Sequence, residues 1–277
     1  MRAELALILA LLLGACGSTP KPVDPPRLRA ALEAESDGAR RYERGDYAVA
    51  ARRFAEAAKL HAAIDDATGV ARNRLHLARS QLVLGRDEAA LQLLDATDSG
   101  GDAGFALDAW MLKAQAQLGL GRADDARKSL DEAVALCAGA CPHAAGLHLL
   151  RARHALAEKR AADSLAHAGA ALKLLQGKDN AAETGNAWRL IAAARHAGGN
   201  ATNALVAARA ALDIDRRLAL PEKIARDWLL IGDILRAKAP AEAATAYRKA
   251  LAVAQAAGLD AITMIAAQAS QDVGMQK

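Results

Sequence analysis

Gly45-Asp46-Tyr47-Ala48-Val49-Ala50 is the stretch that decides the fold, because related copies of it recur along the chain. The clearest copies are Gly85-Arg86-Asp87-Glu88-Ala89-Ala90 and Gly121-Arg122-Ala123-Asp124-Asp125-Ala126, and weaker ones begin at Lys159, Gly199 and Lys238. Between residues 45 and 199 the copies begin every 36 to 40 residues. A period of that length predicts a solenoid built from helical units.

Each copy has the residues expected of a turn between two helices. A glycine suits the end of the first helix, and an acidic residue suits the start of the second because it interacts well with the helix dipole. Hydrophobic residues make up 53% of the chain but aromatic residues only 3%. Alanine accounts for much of the rest, and it favours closely packed helices. We therefore expect an all-α protein with almost no strand.

The repeated unit resembles the tetratricopeptide repeat (TPR). In the first unit the family's small, turn, aromatic and packing positions are occupied by Gly38, Gly45, Tyr47, Ala50, Phe54 and Ala57. Trp110, Trp188 and Trp228 occupy the early aromatic position of later units. The resemblance implies a right-handed α-solenoid of about six hairpins over residues 28–257. Residues 258–277 would then supply a capping helix, Asp260 to Val273, and a tail.

The first residues carry a separate pattern. Leu5 to Leu13 form a short apolar run that continues into Gly14-Ala15-Cys16. This arrangement resembles a bacterial lipoprotein signal peptide, residues 1–15, with its lipobox. The resemblance implies palmitate and other acyl chains on Cys16, and a Pro-rich lipidated linker over 16–27. Gly17 resembles an outer-membrane sorting residue, so we expect a lipid-anchored protein of the outer membrane that faces the periplasm.

The two remaining cysteines, Cys137 and Cys141, are candidates for a disulfide, because an even pair in an oxidising compartment usually pairs. A bridge this short requires the helix to end near Gly139. Two unpaired buried thiols are the alternative. A metal site that adds His143 and His148 lacks a convincing fourth ligand. We expect no metal and no cofactor other than the covalent lipid on Cys16.

The resemblance also implies which side chains face the concave groove of the solenoid. Counted from the turn positions, they are Tyr42, Arg72, Arg79, Gln115, Arg153, Asn186, Arg189, His196, Arg226 and Arg236. Glu35, Asp108 and Asp233 offset part of the charge. An arginine-rich groove favours an extended partner segment that carries carboxylates, such as a C-terminus. A solvated helix face is the alternative interpretation.

Other functional classes have little support in the sequence. The net charge is +4, but the charges are interleaved and lack the basic runs and stacking aromatics that nucleic-acid binding uses. No nucleophile elbow, zinc-protease motif, phosphate loop or Rossmann glycine cluster occurs, so we expect no enzyme.

These observations predict a periplasmic, membrane-anchored scaffold or adaptor that binds envelope proteins through its groove. Two alternatives remain open. One is a pilotin-like assembly factor for an outer-membrane secretin of type IV pili, which the architecture resembles. The other is a self-associating structural subunit, which would bury its convex face or its terminal helix in an oligomer.

Overall fold

The computed structural model describes residues 24–97, 100–137, 139 and 141–274. These residues form thirteen α-helices and no strand. The helices are α1 Pro26–Glu43, α2 Tyr47–Ala62, α3 Ala67–Val83, α4 Asp87–Asp95, α5 Ala103–Gly119, α6 Ala123–Leu136, α7 Ala144–Ala157, α8 Ala161–Leu175, α9 Ala181–Ala197, α10 Ala201–Arg217, α11 Pro221–Leu235, α12 Pro240–Ala256 and α13 Asp260–Gly274. The predicted all-α fold is confirmed.

Consecutive helices pair into six hairpins, from α1/α2 to α11/α12, and α13 packs on α12 as the predicted capping helix. Helix α1 begins at Pro26, two residues before the expected start of the repeat domain. The predicted signal peptide and Cys16 lie outside the described residues. None of the described helices is both long and apolar enough to cross a bilayer.

A small residue on the first helix of a hairpin permits close contact with the second. A Cβ on Gly38 would lie 2.8 Å from Cδ1 and Cε1 of Phe54, so only glycine fits there without movement of the ring. In the last hairpin Gly232 approaches Tyr247 in the same way. These two close approaches at opposite ends of the chain show that the repeated sequence pattern encodes the geometry of the hairpin.

The two ends of the solenoid touch each other. Tyr47, at the start of α2, belongs to the same buried apolar cluster as Ala225 of α11 and as Leu259 and Ile262 of the capping region. A Cβ on Gly45 would lie 3.3 Å from Cγ of Pro221, at the start of α11. We call this junction of the first two hairpins with α11 and α13 the seam. It turns the open groove expected from the sequence into a ring.

Candidate functional site

Charged and polar side chains from distant hairpins converge inside the ring. Tyr42 ends α1, Arg79 lies on α3 and Asp87 begins α4. The other members lie on α7 and α11, and the set, which we call the central cluster, is Tyr42, Arg79, Asp87, Arg153, Glu222 and Arg226. The seam produces this convergence because it brings α11 next to the first two hairpins.

Electrostatic interactions link the members of the central cluster. Burial raises the pKa of Asp87, although Arg153 and Arg226 oppose the shift. Burial also raises the pKa of Tyr42, which lies within the electrostatic influence of Arg79 and Glu222. Interactions of the second hairpin with the fourth and sixth therefore cross the interior of the ring.

Two charged side chains of the central cluster, those of Asp87 and Arg153, form no hydrogen bond or ion pair with any residue that the structure describes. Arg153 is the cation of the two. Burial lowers its pKa, and the like charge of Arg226 lowers it further, while Glu222 and Asp87 act in the opposite direction. A half-buried cation in this position is a favourable contact point for a carboxylate of a partner.

Several of the predicted groove arginines already bind carboxylates of the chain itself. Arg72 donates to Glu35 from Nε at 2.7 Å and from Nη2 at 2.9 Å. Arg79 lies 3.7 Å from Asp108, and Arg236 lies 3.7 Å from Asp272. These pairs join one hairpin to the next or to the capping helix, so these side chains stabilise the stack of repeats.

Arg189 is the most fully engaged of these arginines. Its Nε donates to Asp227 at 2.6 Å, its Nη1 donates to Asn186 at 2.8 Å, and its Nη2 donates to Asp215. Both aspartates are fully buried, and burial raises the pKa of Asp227 to about 7 and raises that of Asp215. Arg189 therefore has an internal role, because its donors are bound to its own chain.

The remaining groove candidates differ in their surroundings. Tyr42 packs edge-on against Tyr47, with ring centroids 5.1 Å apart, next to the seam. Arg226 pairs with Glu222 one helical turn earlier. Gln115 and His196 are half-buried, and their side chains have no hydrogen-bond partner among the described residues.

Two buried polar clusters were not predicted from the sequence. The first is the Asp215–Asp227 pair around Arg189. The second is His61, which is fully buried and lies 2.7 Å from Asp66 and 3.4 Å from Glu35. A sequence signal for such a group is an ionisable residue at a position where the helical period predicts a buried apolar one, such as Asp215.

Cys137 and Cys141 are bridged in the structure, with Cα atoms 5.3 Å apart. The helix before them ends at Leu136, and Gly139 has a positive φ of 72°. The histidines considered with them have other neighbours, because His143 lies 3.6 Å from Asp108 and His148 faces His167. No group of three or more histidine, cysteine or acidic residues able to hold a metal occurs in the described part of the chain.

Two surface clefts lie away from the central cluster. One, of about 680 Å³, lies between the fourth and fifth hairpins and is lined by Trp188, Lys173 and Arg217 among others. The other, of about 510 Å³, flanks the seam beside Tyr47 and Pro221. Arg153 lines neither cleft. The central cluster is therefore a candidate site separate from both.

Comparison with solved structures supports a TPR-type fold. The Cut9–Hcn1 hetero-tetramer of the APC/C aligns with a TM-score of 0.65 at 15% identity, over 98% of this chain and 46% of that one. A STAND ATPase with a tetratricopeptide-repeat sensor from Pyrococcus horikoshii aligns with a TM-score of 0.60 at 13% identity, over 86% of this chain and 36% of that one. Apo RapI gives 0.54 at 13% identity, over 89% and 77% of the two chains.

This chain therefore spans less than half the length of the first two structures. Neither a protein-family profile nor a curated protein sequence matches the chain. At these identities the likeness concerns the fold. It defines the molecule as a helical-repeat solenoid of the tetratricopeptide type.

Proposed function

We propose that this chain is a membrane-anchored adaptor that holds an extended, acidic segment of a protein partner inside its ring. The observation that carries the proposal is Arg153, a half-buried cation without an ion pair among the described residues. A partner carboxylate would supply the ion pair that Arg153 does not make within the described residues, in a partly desolvated setting where charge-assisted hydrogen bonds are strong. Arg226 is a second positive charge that acts on Arg153, and it is itself paired with Glu222.

The shape of the ring supports an extended partner rather than a folded one. The seam joins the ends of the solenoid, so access to the central cluster runs through the openings of the ring or through an opened seam. A single extended strand of polypeptide needs far less room than a folded domain. Cut9, which shares this fold, is named as a member of a complex with Hcn1, and a protein partner is in keeping with that example.

The proposed anchor follows from the lipobox-like segment that ends at Cys16. Several acyl chains on this residue, at about 0.8 kcal/mol for each buried methylene, would hold the protein stably on a bilayer. We place the body of the protein in the periplasm, at the outer membrane. Confinement to that surface would raise the local concentration of partners, which strengthens weak contacts.

Charge reversal inside the ring tests the proposal directly. A fluorescein-labelled oligoglutamate peptide is titrated with the wild type and with the double variant Arg79→Glu/Arg153→Glu, and its anisotropy is followed. We expect the variant to bind at least about ten-fold more weakly, a loss of about 1.4 kcal/mol. The matched control is Arg52→Glu/Arg209→Glu, which reverses two exposed arginines that have no ion pair in the described residues.

The control separates a specific site from general electrostatic attraction. If both double variants lose the same affinity, the peptide responds to net charge and the interior of the ring is not the binding site. If neither loses affinity, the proposal is wrong. Circular dichroism checks that helical content is unchanged. A pull-down from solubilised envelopes with the same variants then identifies the natural partner by mass spectrometry.

A further inference from the structure

Two histidines of the fourth hairpin face each other across its two helices. His148 lies on α7 and His167 on α8, and their Nδ1 atoms are 3.3 Å apart. The ring centroids are 5.5 Å apart and the ring planes are tilted by 40°. Both side chains are half-buried, and neither ring has another hydrogen bond or ion pair among the described residues. The function proposed above makes no use of this pair.

The separation of the two nitrogens is informative. Hydrogen bonds from nitrogen donors typically span about 2.7–3.2 Å, so 3.3 Å is long for a direct bond between these rings. Two imidazole nitrogens that each lie about 2.0–2.1 Å from a tetrahedral zinc ion are about 3.3–3.4 Å apart. The observed distance is that of a long hydrogen bond between the two rings, and it also matches the spacing of two ligands on one metal ion.

We propose that Nδ1 of His148 and Nδ1 of His167 bind one divalent transition-metal ion, Zn²⁺ or Cu²⁺, with water at the remaining positions. Imidazole is a preferred ligand of both ions and a poor one for Mg²⁺ or Ca²⁺. With two protein ligands the site stays open and exchangeable. An ion held there joins α7 to α8, so metal binding stabilises the hairpin that carries Arg153.

Arg151 provides an independent check on the site. Burial and the positive charge of Arg151 lower the pKa of both histidines, so the guanidinium acts on both rings. The same charge repels a bound cation. Arg151→Gln should therefore strengthen metal binding, whereas a histidine pair that only packs the hairpin gives no reason for such an effect.

The test uses the full chain without a polyhistidine tag. Isothermal titration with ZnCl₂ and CuCl₂ should show a single ion per chain, and MgCl₂ should show none. His148→Ala and His167→Ala should each weaken binding at least about ten-fold, a change of about 1.4 kcal/mol. His196→Ala, which alters a half-buried histidine on α9, should leave binding unchanged.

Cu²⁺ electron paramagnetic resonance is a second measurement. It reports the ligands of the bound ion directly, so it does not require the wild type and the variants to be equally stable. We expect nitrogen splitting from two imidazoles in the wild type and from one in each alanine variant. The proposal is overturned if the wild type takes up neither ion. It is also overturned if both alanine variants bind as tightly as the wild type.

Discussion

Gly85, in the turn of the second hairpin, and Ala261, near the start of the capping helix, approach so closely that a Cβ on Gly85 would lie 2.7 Å from the Cβ of Ala261. Gly85 and Ala261 do not belong to successive hairpins, so stacking of neighbours does not by itself bring them together. Their approach arises because the stack of six hairpins curves until its ends meet. Tertiary contact between the ends, in addition to stacking, therefore determines the shape of the solenoid.

Ala261→Arg should open the seam, because the Cβ of Ala261 lies against Gly85 and a long charged side chain that begins there would press on the turn of the second hairpin. Overpacking of this kind typically costs about 1–3 kcal/mol of stability. Small-angle X-ray scattering should show a larger radius of gyration and a larger maximum dimension than in the wild type. Met264→Arg is the matched control on the same helix, since the side chain of Met264 is 73% exposed.

The two arginine variants differ in position and have the same added charge. An equal radius of gyration in both would show that the seam contact does not hold the ring closed. If Ala261→Arg alone expands the particle, binding of the oligoglutamate peptide to the opened form shows whether closure limits access to Arg153.

Gly38→Ala should destabilise the first hairpin. The added methyl group would lie 2.8 Å from the ring of Phe54, and the expected cost of about 1–3 kcal/mol is at least as large as the gain of about 1 kcal/mol in helix propensity. Gly169→Ala is the control, because a Cβ on Gly169 meets nothing within 4 Å. This control should raise the melting temperature in a thermal scan. A rise in both variants would show that Phe54 moves away easily.

Much of the fold follows from local sequence. The turn motif at Gly45 and its copies predict the hairpins, since the residue types required at a helix end and at a close helix contact are specific. The repeat pattern also predicts small residues at Gly38 and Gly232. In the structure each packs against an aromatic residue of the second helix of its hairpin, Phe54 or Tyr247.

The closed ring could not be read from the repeats. A repeat period specifies which hairpins are neighbours. Whether Gly85 meets Ala261 depends on the total rotation of the stack, which is the sum of the small rotations between successive hairpins. The same limit applies to the groove. Arg153 and Arg189 are both predicted to face the groove, yet only Arg189 meets two buried carboxylates, which come from other helices.

Asp227→Asn should change how stability depends on pH. Burial raises the pKa of Asp227 to about 7, well above its value of about 3.9 in an unfolded chain. The folded state therefore binds the proton more tightly, and this contribution to stability is present below about pH 4 and is lost as the pH rises towards 7. The wild-type free energy of unfolding should fall over this range by up to about 1.4 kcal/mol for each pH unit.

Urea titrations at several pH values measure this slope. Asp227→Asn should flatten it, because the amide does not ionise and still accepts a hydrogen bond from Arg189. Asp213→Asn is the control, since Asp213 lies on α10 and is exposed to solvent. Equal slopes in the wild type and Asp227→Asn would contradict the prediction.

The Cys137–Cys141 bridge should add only modestly to stability. It closes a very small loop between α6 and α7, and the entropy removed from the unfolded chain corresponds to about 2 kcal/mol at most. Dithiothreitol should lower the wild-type free energy of unfolding by up to this amount and leave Cys137→Ser/Cys141→Ser unaffected. The reduced wild type and the double variant should then unfold at similar urea concentrations. A wild type that does not respond to reductant has either unpaired thiols or a bridge that the reductant does not reach. Free-thiol titration of the folded protein distinguishes the two, and reactive thiols at Cys137 and Cys141 would contradict the prediction.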